Sequence, residues 1–249
     1  MRQASDEEHE LERQKPGVKA AETTESQEQS NKVGQSQQPL LGRLPALVAA
    51  VIIVGVAIGA AAGLLTLMLY GIERLALGYV ESTHESGPFN VPPLRRAISV
   101  IVGASVAAII WWLLRTRSTK VPSVKKAVNG EEMPIWQTVL LQIFIVGTGM
   151  SIGREVAPRE LGAMFGQRFA RWVRLDAKDT RMLVAITAAA GLAGVYNAPL
   201  AGTFFAVEIL LADVTLETVA LAFSCSALAS WVASLVKGTH TFYVLGKAE

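Results

Sequence analysis

In a chain of 249 residues, 51% apolar, the first forty are almost all polar, so the apolar residues concentrate in the rest of the chain. The formal net charge of +2 is not gathered into a basic helix or an aromatic-basic platform, which leaves no footprint for nucleic acid. The lone cysteine, Cys225, excludes an internal disulfide and reads as a small buried hydrophobe.

Residues 1–42 combine Glu, Gln, Ser and Lys without Phe, Trp or Tyr. They offer too little apolar surface to offset the entropy of ordering, and the reading is a disordered polar tail. Five charge-free stretches come after it, at 45–72, 97–114, 133–153, 183–207 and 218–236. Each approaches the roughly 20 helical residues that a bilayer core requires. A soluble domain buries one such helix; five in succession leave too little amphipathic surface to face water. The expectation is an all-α, multi-pass membrane protein with a membrane domain over 43–237 and a short tail at 238–249. The first stretch is longer than a hydrocarbon core of about 30 Å needs, so its helix is expected to tilt or to pass the interface.

Positive charge sets the expected orientation. Arg43 precedes the first span, residues 80–93 carry no Lys or Arg, and Arg115, Arg117, Lys120, Lys125 and Lys126 follow the second span. The positive-inside bias puts the N-terminus and the 115–126 loop in the cytoplasm and 80–93 outside.

The third and fourth stretches are less regular. Gly147, Gly149 and Gly153 loosen the end of the third just before Arg154 and Glu155. Pro158 comes next, and proline is tolerated in a first turn, so a new helix is predicted to start near 154–156 and to run through 169. Its first N–H groups would lack intrahelical partners and its dipole would be positive there, which makes an anion site. Glu155, at the mouth, would be a tethered competitor for that site. The bland alternative is that Glu155 pairs with Arg159 at i,i+4. In the fourth stretch, Asn197-Ala198-Pro199 predicts two short helices, 179–191 and 198–211, joined by a break at membrane depth. Such backbone is tolerated only when it is covered by protein or lines a cavity, which favours transport over anchoring. Small residues here, Ala188 to Gly191, Ala193, Gly194, Ala201 and Gly202, permit close helix approach, as they also would in a tight bundle without a pathway.

Two of these segments, GREVAPRELGA (153–163) and AAAGLAGVYNAPLAGTFFAVEILL (188–211), resemble signatures of the CLC family of chloride channels and chloride/proton exchangers. STKVPSVKKAV (118–128) fits that family's serine-bearing loop less well. The resemblance implies the fold of the family's first inverted repeat, over roughly 44–237, with chloride as the transported ligand and no other cofactor. It implies that Glu155 is the gate, that Arg154, Val156 and Ala157 surround an anion at the helix N-terminus, and that Thr119 supplies a hydroxyl. Ser118, Lys120, Arg159 and Glu208 are secondary candidates, Lys120 reading more readily as an interfacial lysine.

Departures from the family pattern are specific. Val156-Ala157 replaces Gly-Pro after the gate, and Arg159 and Glu160 stand at positions usually uncharged. Ile209 comes after Glu208 where exchangers carry a second glutamate for internal proton transfer, which favours a channel or another proton route. The second repeat is not covered, so the expected partners, besides anion and bilayer, are a second copy or a chain that supplies it. The competing reading is a half-unit that does not transport alone and acts as a subunit or remnant. An enzyme is the least supported class. His9, His84 and His240 fall in tail or loops without metal-ligand spacing, and no phosphate-binding glycine loop occurs.

Overall fold

The computed structural model describes residues 40–80, 90–117, 121–133 and 136–239. Residues 1–39 of the predicted 1–42 tail, the residues Ser118, Thr119 and Lys120, and the segment 240–249 lie outside the described residues. The chain divides into two compact units, Met1–Leu47 and Val48–Glu249, and the helical assembly belongs to the second. The described residues form helices and no strand: α1 (Leu40–Ala76), α2 (Pro93–Arg117), α3 (Val124–Val128), α4 (Gln137–Gly147), α5 (Val156–Val173), α6 (Ala177–Tyr196), α7 (Pro199–Phe204, continuing as a π-helix over Phe205–Leu211) and α8 (Leu216–Lys237).

Among the described residues three helical segments are long and apolar enough to cross a membrane, Leu47–Ala76, Pro93–Thr116 and Leu216–Lys237, where five stretches were expected to have that length. The other two are cut short. Among the described residues of the third stretch, Gln137–Gly147 is the helical part. Gly149, just past the Thr148 cap, and Gly153, just before α5, take φ of 97° and 78°, a region that glycine enters without strain. Gly147 stays helical and serves packing, because a Cβ there would fall 2.7 Å from Ile72.

The break in the fourth stretch lies where Asn-Ala-Pro predicts it. Asn197 closes α6 in the left-handed conformation at φ 54°, and Pro199 opens α7 in its first turn. However, α6 runs on to Tyr196 and does not end at 191. Gly191 is a point of close approach: a Cβ would run into the Pro158 carbonyl of α5. Asp176 caps α6 by accepting from the Asp179 amide at 2.7 Å, and a Thr215/Thr218 capping box opens α8.

Packing is set by the small residues. Gly162 and Gly166 of α5 rest on Thr187 and Val184 of α6 with no room for a side chain. Ser230 of α8 donates to the Ala193 carbonyl at 2.9 Å, and Ala62, Val195 and Ala233 bring α1, α6 and α8 together. Gly55, Gly59 and Gly63 lie one turn apart on α1 and admit Cys225, Leu228, Ala229, Val232 and Val236 of α8. Cys225 is fully buried there. A second cluster, Leu65, Leu69, Val139, Ile143 and Ala157, packs α1, α4 and the first turn of α5.

Candidate anion site at the start of α5

The helix predicted from Arg154 onward is α5, and it ends four residues later than predicted, at Val173, where Arg174 turns left-handed at φ 58°. Its first amides, Val156 and Ala157, have no carbonyl one turn behind them, and Pro158 carries no N–H. The dipole adds about half a positive charge at this end. Glu155 occupies the N-cap position at φ −78° and ψ −21°, yet its side chain makes no capping bond. It folds back over Gly153, so close that a Cβ on that glycine would collide with both carboxylate oxygens. Gly153 is therefore required twice, for its positive φ and for the space the carboxylate uses.

Arg154 and Arg159, on either side of Glu155 in the sequence, are each engaged with a ring of another helix. The Arg154 guanidinium stacks 5.3 Å from the Tyr196 ring centre at the end of α6. Arg159 Nε donates to the Glu155 carbonyl oxygen at 2.8 Å, and its guanidinium lies 5.4 Å over the Phe205 ring of α7. The i,i+4 contact between Glu155 and Arg159 thus runs through the backbone.

The end of α6 is held by α8. Lys237 Nζ donates to the Gly194 carbonyl at 2.8 Å and to the Val195 carbonyl, covering acceptors that the helix end leaves open. Ser234 Oγ meets Asn197 Oδ1 at 3.3 Å. Arg154 and Lys237 are close enough for their charges to act on each other. Arg154, Glu155, Val156, Ala157 and Arg159 therefore converge with Tyr196, Phe205 and Lys237 at one end of α5. Glu208 and Ile209 are exposed on the π-helical stretch of α7. Tyr196 and Lys237 were missed by sequence reasoning, and a lysine closing an apolar run near a predicted helix break is the signal that would have flagged the second.

The sequence profile described as voltage gated chloride channel matches residues 101–249. The chain belongs to that family. It is 27% identical over 159 residues to a voltage-gated ClC-type chloride channel, ClcB, of Yersinia pseudotuberculosis, covering 60% of this chain and 38% of the relative. It is 36% identical over 94 residues to the H(+)/Cl(-) exchange transporter ClcA of Vibrio cholerae, covering 35% of this chain and 20% of the relative. The fold is similar to the crystal structure of a slow cyanobacterial Cl-/H+ antiporter, with a TM-score of 0.55, 22% identity, and coverage of 76% of this chain and 47% of that one. The chain thus spans less than half the length of these relatives. Family and apolar spans together make it an integral membrane protein.

Proposed function

We propose that this chain takes part in moving chloride or a related anion across the membrane, with the anion held at the start of α5 and Glu155 as its gate. The observation that carries this reading is the unused N-cap. The Glu155 carboxylate sits at an electropositive helix start without bonding to it and is folded onto a glycine that leaves it room to swing. A carboxylate in that position competes with a free anion for the same amides, and protonation or a rising anion concentration removes it. Val156 and Ala157 contribute amides and Arg154 contributes charge at the entrance. By the family resemblance Thr119 would supply a hydroxyl to the anion, with Ser118, Lys120, Arg159 and Glu208 as secondary candidates. Ile209, in place of the second glutamate, supports a channel-like flux that is not driven by protons. The lysine and arginine distribution supports a cytoplasmic N-terminus in a cell membrane.

Chloride efflux from liposomes holding the purified chain, at two pH values with Glu155→Ala as control, tests the reading. Altered efflux in the variant supports the gate. An absence of efflux from well-inserted protein overturns transport by this chain alone and favours a subunit that works with a partner. Chloride-driven proton uptake would overturn the channel-like part.

A further inference from the structure

About a turn and a half beyond Glu155, α5 carries a second carboxyl group in a different setting. Glu160 is only 8% exposed. Gln142 of α4 donates from Nε2 to Glu160 Oε2 at 2.8 Å. The other half of that amide, Gln142 Oε1, is buried and has no hydrogen-bond partner.

The surroundings offer little to balance a negative charge. Helix α4 contains no titratable residue. The part of α6 that packs on α5, from Val184 to Gly191, is uncharged. Core contacts of α1 near the first turn of α5 come from Leu65 and Leu69. Lys125 and Lys126 on α3 are exposed, and that helix meets α5 at Gln167, about two turns further on. Arg159 is the charged group that acts on Glu160, and its guanidinium is engaged with the Glu155 carbonyl and the Phe205 ring. A carboxylate with one hydrogen bond and a neighbouring cation engaged elsewhere is costly to bury, and taking up a proton removes that cost.

A proton also completes the local hydrogen bonding. A neutral carboxylic acid offers an O–H donor and a carbonyl acceptor, and a primary amide offers an N–H donor and a carbonyl acceptor to match them. We infer that Glu160 is a proton-binding site within the membrane domain, its neutral form donating its O–H to Gln142 Oε1 while accepting from Nε2. The paired acid and amide join α4 to α5. Loss of the proton in alkali leaves a buried carboxylate and an amide oxygen without a donor, and it loosens the α4–α5 contact. The inference does not depend on the chain passing anions.

Infrared spectroscopy of the full chain in lipid vesicles, stepped in pH and repeated in heavy water, tests it. At neutral pH a protonated-carboxyl band that shifts in heavy water should be present in the parent and in Glu155→Gln, and lost in Glu160→Gln. In Gln142→Met the band should persist at higher wavenumber, because the acid has lost its partner. An unchanged spectrum in Glu160→Gln would overturn the site. So would failure of Glu160→Gln to insert and fold, because glutamine is the neutral isostere of the proposed state.

Discussion

Helices α2 and α6 are both apolar and of similar length, but they meet different surroundings. In α2, Ile101, Ile109 and Trp112 are 60% or more exposed. In α6 every residue from Met182 to Gly191 is buried, and half of these are Ala or Gly. Bulky side chains face outward where hydrocarbon is the solvent. Small ones face inward where another backbone must come within contact distance. Hydropathy alone does not separate the two, whereas side-chain volume does.

The comparison predicts where substitutions hurt. The largest effect is expected at the α5–α6 seam: Gly162→Leu forces a side chain into the Thr187 backbone, costs about 3 kcal/mol or more, and should leave no monodisperse folded protein on size-exclusion chromatography in detergent. Next, Glu155→Gln should leave anion flux that no longer responds to pH. A persistent pH response in that variant would remove Glu155 from the gate. A smaller effect is expected for Lys237→Met, which uncovers the Gly194 and Val195 carbonyls and should lower thermal stability by about 1–3 kcal/mol. At the other extreme, Ile109→Ala on α2 should change stability by less than about 0.5 kcal/mol. A large loss there would break the comparison and show that α2 packs on protein.

Much of this was legible in the sequence, for identifiable reasons. Long charge-free runs predicted α1, α2 and α8, because bilayer thickness dictates length. Asn197-Ala198-Pro199 located the break, because proline has no amide to donate and asparagine tolerates a left-handed turn. The start of α5 was readable from Gly153 and Pro158. Glycine was harder to read: Gly149 and Gly153 take positive φ between α4 and α5, while Gly147, Gly162 and Gly191 lie inside helices that need the space. That ambiguity placed the end of α6 too early and hid the Gly55, Gly59 and Gly63 seam. In the candidate site, the residues of one short segment were found and their cross-chain company was not. Tyr196 and Lys237 reach Arg154 only through the fold, and Gln142 lies eighteen positions from Glu160.

The burial of Cys225 between α8 and the glycine seam of α1 has a practical side. The native thiol is shielded from water-soluble maleimides while the chain is folded, so a cysteine introduced at exposed Asn197 or Lys125 becomes the reactive one without first removing the original. Labelling such variants from either side of a sealed vesicle would read the sidedness of each loop directly.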